Sequence, residues 1–145
     1  MAYLEGVLSS LEQQAFQNFE TILVDNGSSD GSVAFVMGNF PWVHIVELSD
    51  NFGFSRAVNE GIYASRTPYV LLLNNDTEVI SPNAIKEMLG CCMRPEVGIV
   101  GAKLLYADDT VQHAGVVVGF NNYAGHVFTE IGKDDFGYMM RPIIN

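Results

Sequence analysis

FETILVDNGSSDGS, residues 19–32, joins a short apolar run to a loop of turn-forming residues. The β-branched and aliphatic residues at positions 21–24 are typical of a strand. Asp25 follows them, and residues 26–31 are rich in Asn, Gly, Ser and Asp, which favour turns. This stretch therefore predicts a strand that ends at an acidic residue and leads into a polar loop.

Apolar residues at helical spacing, or in short continuous runs, predict further elements on both sides of this stretch. We expect helices at residues 3–15, 32–38, 54–62 and 82–94. We expect strands at residues 43–48 and 69–73, the second of which is YVLLL and predicts burial on both faces. Strands that alternate with helices indicate an α/β fold, a mostly parallel sheet with helices on both faces.

The pattern changes after Gly98. Residues 99–106 and 111–120 look like two strands joined by a turn, with no helix between them, and this predicts a C-terminal hairpin or two edge strands. Beyond residue 121 there is no clear period, so we expect a loop or a partly disordered tail.

Charge and composition exclude several classes of function. The 145 residues include 17 acidic and 7 basic side chains, a formal charge of −10, which disfavours nucleic acid as a partner. An anionic ligand would need a local cation in this field, which favours a divalent metal. No apolar run is long enough for a transmembrane segment and no signal pattern opens the chain, so we expect a cytoplasmic protein, with the inner face of the membrane as the alternative for the full-length protein.

The first polar cluster follows the strand at residues 21–24. It contains Asp25, Asn26, Gly27 and Ser28. The carboxylate can accept hydrogen bonds from a nucleobase or ribose, and the glycine lets the backbone approach a ligand closely. The alternative is an ordinary Asx turn that caps the next helix.

Two more polar clusters are expected at the same carboxyl edge of the sheet, where α/β folds bind ligands. The triplet 74–76, Asn-Asn-Asp, offers Asp76 as an oxygen ligand for Mg²⁺ or Mn²⁺, although a lone Asp after a strand is more often a turn residue. Residues 50–59 lead into a helix whose N-terminus could face phosphates. His113 and His126 fit no metal-ligand spacing, and we interpret both as structural.

Motifs of rival folds are absent from the sequence. There is no Gly-x-Gly-x-x-Gly fingerprint, no P-loop and no Gly-x-Ser-x-Gly elbow. Three segments taken in order instead resemble family 2 glycosyltransferases: residues 19–32, NFGFSRAVNEGI at 51–62 and YVLLLNNDT at 69–77. VGAKLLY at 100–106 and TVQHAG at 110–115 are similar to bacterial rhamnosyltransferase-like members.

The resemblance implies a GT-A, Rossmann-like fold and a site for a nucleotide-diphosphate sugar such as a UDP- or dTDP-sugar. By position, Asp25 would hold the base, Asn75 would lie near the ribose or diphosphate, and Asp76 would meet a Mg²⁺ or Mn²⁺ cofactor. The other implied donor-binding residues are Asn26, Gly27, Ser28, Asn51, Gly53 and Asn59. One carboxylate stands where many relatives have two, so the diphosphate should supply much of the metal coordination.

The implied reaction transfers a sugar with inversion to a glycan or lipid-linked acceptor in cell-envelope polysaccharide synthesis. Residues 1–128 would form the donor-binding part, and residues 129–145 would lead toward an acceptor-side segment. We expect the chain to be truncated at both ends, with the catalytic base beyond residue 145. The relatives begin with an apolar strand, whereas this chain starts in its first helix, so one edge of the sheet would be left unpaired. An unpaired edge favours association, and we therefore expect a homodimer.

Two alternatives stay open. One is a non-catalytic module or fragment that binds a nucleotide sugar. The other is a nucleotidyltransferase, which shares a similar sheet and metal use but would carry a Gly-rich loop with a following basic signature, absent here.

Overall fold

The computed structural model describes residues 2–119 and 123–135, and the apolar spacing at the start of the chain produces its first helix, α1, Ala2–Glu12. Leu4, Val7, Leu8 and Leu11 recur every three or four residues and are all buried, as a helix with one apolar stripe requires. The chain divides into two compact units, Met1–Leu89 and Gly90–Asn145, which are described separately.

A parallel strand pair lies in the first unit. Strand β1, Ile22–Asp25, pairs with β2, His44–Glu47, so that Asp25 lies opposite Glu47. Helix α2, Ser32–Asn39, connects them, as a parallel pair requires. The predicted strand, helix and strand at these positions are confirmed.

The core of the first unit lies between helix α1 and the β1–β2 connection. Val36 of α2, Phe40 and Val43 are buried together with the apolar stripe of α1, and Leu23 of β1 packs against them. Phe40 also stacks edge-on against Phe35 and Trp42. This burial removes the apolar face of α1 from water, which is the main favourable term in folding.

Helix α3, Phe54–Ala64, follows β2 and packs on β1. A Cβ atom at Gly61 would lie 3.0 Å from Cγ2 of Val24, so glycine permits a close helix-to-strand approach here. Helix α4, Ala84–Cys92, agrees with the helix predicted after Pro82 but is shorter at both ends.

The prediction of a doubly buried strand at residues 69–73 is wrong. These five apolar residues form no strand and all five side chains are exposed. A strand requires a neighbouring backbone to satisfy its N–H and C=O groups, and none pairs with this segment among the described residues. The extended, mostly parallel sheet is accordingly not confirmed: the described residues form three two-stranded sheets, of which only β1–β2 is parallel.

The second unit contains the predicted C-terminal hairpin. Strands β3, Leu104–Leu105, and β4, Val111–His113, pair antiparallel across a turn. The first predicted strand, 99–106, is a strand only in β3, and the second, 111–120, is divided into β4 and a further strand, β5, Val116–Val118. β5 pairs antiparallel with β6, Ala124–His126, which was not predicted. Val111 is fully buried and its N–H donates to the carbonyl of Ile131.

Residues 130–133 run beside β4. Thr110 and Gly132 form an antiparallel bridge, and Lys133 Nζ lies 2.8 Å from Asp109 Oδ2. The Asp109 carboxylate raises the pKa of Lys133 because it accepts a hydrogen bond from the ammonium group. The expected disorder of residues 136–145 lies outside the described residues.

No helix in the described part of the chain has the length and apolar character needed to cross a membrane.

Candidate functional site

Asp25 lies at the carboxyl end of β1 and is the one buried carboxylate of the described residues, with 8% of its surface exposed. Its backbone carbonyl accepts a hydrogen bond from the Leu48 N–H at 2.8 Å, which continues the strand pairing. Its Oδ2 atom accepts a hydrogen bond from the Ser28 N–H at 3.1 Å. The carboxylate is therefore oriented by the loop that follows it.

Gly27 brings this loop against the loop that follows β2. Its φ of +78° is in the left-handed region, which favours glycine. A Cβ atom here would lie 2.7 Å from the backbone carbon of Asp50 and 2.9 Å from the nitrogen of Asn51. Glycine is therefore required both by conformation and by contact.

Asparagine side chains join the same two loops. Asn26 Nδ2 donates to Asn51 Oδ1 at 3.1 Å, and Asn26 Oδ1 accepts from the Phe52 N–H at 2.9 Å. Asn51 Oδ1 also accepts from the Gly53 N–H at 3.0 Å. We call residues 25–28 and 50–53 the paired loops. The expectation that these two clusters meet at the carboxyl edge of the strands is confirmed.

The paired loops lead directly into α3. Gly53 caps this helix with φ +84° and without a side-chain hydrogen bond, so the first N–H groups of α3 are not capped by a protein side chain. The guanidinium of Arg56 lies 3.8 Å from the centre of the Phe52 ring and 3.8 Å from Glu60. Asn59, in the second turn, is exposed. This end of α3 combines uncapped N–H groups with a nearby positive charge, which suits an anion.

The third cluster is not joined to the paired loops. Asn75 and Asp76 occupy an exposed turn closed by a hydrogen bond of 2.7 Å from Thr77 Oγ1 to the Asn74 carbonyl. Within the ranges 2–119 and 123–135, no hydrogen bond or ion pair connects Asn75 or Asp76 to residues 25–28 or 50–53. The structure therefore places Asp76 in an accessible position but does not build a shared site.

The fit of a divalent metal rests on Asp76 alone. The part of the chain that the structure describes contains no group of three or more His, Cys, Asp or Glu side chains that could hold an ion. An exposed carboxylate suits Mg²⁺ or Mn²⁺ where substrate phosphates and waters supply the other ligands. The donor set is thus compatible with a metal that arrives with a diphosphate.

Two contacts at the site were missed by sequence reasoning. Asp50 Oδ1 accepts from the Asn51 N–H at 2.7 Å and so helps to fix the second loop. Asp30 Oδ1 accepts from the Oγ and N–H of Ser32, and these hydrogen bonds lower the pKa of Asp30. A carboxylate two residues before a Ser at a helix start is the local signal that predicts the second contact.

Gln14 is the most informative residue that was missed. It is buried, and its Nε2 donates to the Ser81 carbonyl at 3.0 Å while its Oε1 faces the Ile85 N–H at 3.4 Å. Ser10 Oγ accepts from the Val79 N–H at 3.0 Å. These bonds attach residues 79–85 to the first helix. The signal was available, because Gln14 falls three residues after Leu11 on the apolar face.

Comparison with known proteins matches residues 2–135 to the family described as Glycosyl transferase family 2. Protein y4gI of Sinorhizobium fredii is 38% identical over 139 residues, 93% of this chain and 15% of that protein. The O-antigen biosynthesis protein RfbC of Myxococcus xanthus is 39% identical over 122 residues, 83% of this chain and 10% of that protein. Glycosyltransferase GlyG of Streptococcus pneumoniae is 30% identical over 90 residues, 59% of this chain and 29% of that protein.

The chain therefore spans less than a third of the length of each of these relatives. No solved structure matches it. The family match nevertheless covers almost every residue, including both paired loops and the 74–76 turn. On this match, and on the motifs that the paired loops carry, the chain belongs to glycosyl transferase family 2.

Proposed function

We propose that this domain binds a nucleotide-diphosphate sugar, a UDP- or dTDP-sugar, and contributes to its inverting transfer to a glycan or lipid-linked acceptor in cell-envelope polysaccharide synthesis. Support comes from the family and from relatives named for O-antigen biosynthesis and glycosyl transfer. This chain covers only a small part of the length of those relatives. The transfer activity of the whole protein is therefore itself proposed.

The observation that carries the proposal is the oriented carboxylate of Asp25 within the paired loops. Ser28 fixes Oδ2, and no hydrogen bond among the described residues engages Oδ1. No buried side-chain oxygen in those residues lacks a partner, so Oδ1 keeps contact with solvent. An oriented acceptor of this kind suits the N–H of uracil or thymine, or a ribose hydroxyl.

The diphosphate would lie toward the start of α3 and Asp76. Uncapped N–H groups follow Gly53, and Arg56 adds a positive charge to a chain of formal charge −10. A Mg²⁺ or Mn²⁺ ion held by Asp76 and the diphosphate would stabilise the negative charge that develops on the leaving group. Two side-chain amides are proposed to contact the donor: that of Asn75, which precedes Asp76, and that of Asn59, in the second turn of α3.

Calorimetric titration with UDP and dTDP, with and without Mn²⁺, tests this site. We expect Asp25→Asn to weaken binding with and without the metal, because it alters the base or ribose contact. We expect Asp76→Ala to abolish only the gain in affinity that Mn²⁺ gives. Glu78→Gln, which removes an exposed carboxylate two residues away, is the matched control and should bind as the original chain does. Equal binding by all four proteins would contradict the proposal.

A non-catalytic nucleotide-sugar module is the second candidate. It is favoured by the separation of Asp76 from the paired loops and by the absence of any assigned catalytic base in the described residues. The two candidates differ in turnover: release of UDP or dTDP from a bound donor in the presence of acceptor indicates a transferase. Tight donor binding without release indicates the module.

Two further expectations stay predictions. A cytoplasmic location is one, and a homodimer is the other. The second rests on the exposed apolar residues 69–73 and on the outer edge of β1, which no described strand covers. Light scattering across a concentration series tests it, since a monomer at every concentration would rule the dimer out.

A further inference from the structure

The second unit brings together two of the three histidines of the chain. His113 is the last residue of β4 and His126 is the last residue of β6. Their Nδ1 atoms lie 2.8 Å apart, with ring centroids 4.9 Å apart and ring planes at 80°. Thirteen positions separate them along the chain, so only the fold creates the pair.

The backbone holds the two rings in place from both sides. His113 pairs with Leu104 of β3, and His126 pairs with Val116 of β5. The strands β4 and β5 are joined by only two residues, of which Gly115 has φ +130° and accepts a hydrogen bond from the Val127 N–H at 3.3 Å. The short link and the strand pairing fix both ring-bearing positions, as a preorganised ligand set requires.

The contact itself constrains protonation. Two Nδ1 atoms can form a hydrogen bond only when one carries a proton and the other offers its lone pair. The accepting ring already has a lone pair on Nδ1, and the donating ring offers one in its other neutral tautomer, in which the proton lies on Nε2.

The spacing of the two nitrogens selects a coordination geometry. With metal–nitrogen bonds of about 2.0–2.1 Å, atoms 2.8 Å apart subtend roughly 85° at a shared ion. This is close to the cis angle of about 90° in square-planar and octahedral complexes. A tetrahedral ion would need nitrogens about 3.3 Å apart. In the hydrogen bond each Nδ1 faces the other ring, so binding an ion requires both rings to turn about their last torsion, whose energy profile is broad.

We propose that His113 and His126 form a two-histidine site for a divalent transition-metal ion of square-planar or octahedral preference, Cu²⁺ or Ni²⁺. His126 is exposed, so water completes the coordination. The site lies in the unit Gly90–Asn145, whereas Asp76 lies in the other unit, and its chemistry is imidazole rather than carboxylate. The inference does not depend on the proposed donor binding.

Titration of the full chain with Ni²⁺ tests the site. We expect one ion per chain, and at least about tenfold weaker binding for His113→Ala and for His126→Ala, since each loses one of two ligands. His44→Ala is the matched control, because His44 is an exposed strand histidine outside the pair, and its affinity should not change. Ni²⁺ should bind more tightly than Zn²⁺.

A second measurement needs no variant. Sub-stoichiometric Cu²⁺ broadens the NMR signals of histidine rings that ligate it. We expect the His113 and His126 signals to broaden first while the His44 signals stay sharp. Equal broadening of all three rings, or unchanged Ni²⁺ affinity in folded His113→Ala and His126→Ala, would overturn the proposal and leave a plain histidine–histidine hydrogen bond.

Discussion

Strand β1 and the segment 69–73 are both short apolar runs followed by Asx-rich turns, yet only the first forms a strand. β1 is paired with β2, is covered by α3 and contributes Leu23 to the core around α1. The segment 69–73 has no paired strand among the described residues and is exposed throughout. The difference shows that an apolar run does not form a strand without a neighbouring backbone that satisfies its N–H and C=O groups, and that in the first unit this pairing comes together with cover from a helix.

The largest expected effect compares one leucine from each environment. Leu8→Ala removes a side chain that is 3% exposed in the core and should lower the free energy of unfolding by about 2–5 kcal/mol. Leu72→Ala removes one that is 59% exposed and should change it by less than about 0.5 kcal/mol. Urea denaturation measures both. Equal losses would mean that residues 69–73 are buried in solution, which would break the comparison.

The next effect concerns the loop after β1, which packs against the loop after β2. The turn after residues 69–73 is not joined to the paired loops. Gly27→Ala adds a Cβ atom 2.7 Å from the Asp50 backbone at a positive φ and should cost about 2–4 kcal/mol. Gly31→Ala is the control, since its φ of +82° is similar but its added Cβ meets nothing within 4 Å. The control should lose only about 1–2 kcal/mol of unfolding free energy. If both variants lose a similar amount of unfolding free energy in thermal or urea unfolding, the contact between the two paired loops is excluded as the cause.

A smaller effect tests how the chain after residues 69–73 is attached to α1. Gln14→Ala removes the side chain that bonds Ser81 and Ile85, and unpaired backbone groups there should cost about 1–3 kcal/mol. Hydrogen exchange of the Ile85 amide should accelerate in this variant. Gln13→Ala, at the exposed neighbouring position, should leave the exchange rate of the Ile85 amide unchanged. An equal acceleration in this variant would mean that the end of helix α1, and not the contacts of Gln14, controls exchange at Ile85.

The smallest effect is a titration within the loop after β1. The hydrogen bonds from Ser32 lower the pKa of Asp30 below its ordinary value of 3.8. They therefore stabilise the folded state above that pH. This stabilisation is lost as the pH falls through the lower folded-state pKa. Ser32→Ala should move the pKa of Asp30 upward toward 3.8, because the first of those bonds is removed. Carboxyl-carbon NMR measures it, with Ser29→Ala as control. An unchanged pKa would show that the loop is not ordered in solution.

Local patterns predicted most elements of the first unit. The strand at residues 22–25, helix α2, strand β2 and helix α3 lie within a few residues of their predicted bounds, because each carries its own periodicity and turn residues. The strand predicted at 69–73 failed because its stability depends on a partner that periodicity does not encode. The short strand β6 was missed because Ala124–His126 contains no apolar alternation.

The candidate site was predicted in part. The meeting of Asn26 with Asn51 followed from parallel strands that end at one edge, and the family match covers the same residues. Their roles toward a donor, and that of Asp76 toward a metal, stay predictions. The spacing after Leu11 indicated a buried position for Gln14, but not its partners. The contacts of Gln14 with Ser81 and Ile85, and the pairing of His113 with His126, join residues distant in sequence, so no local pattern could reveal them.

The sequence by itself determined the family, the α/β order of the first unit and the polar loop that follows each strand of the parallel pair. Those features depend on residue type and spacing over one or two turns of chain. Only the tertiary structure decided which apolar run is buried, that the 74–76 turn is separate from the paired loops, and that two histidines share one hydrogen bond. Each of these depends on which distant backbone and side chains occupy the neighbouring space, because strand pairing, burial and ligand geometry are properties of contacts.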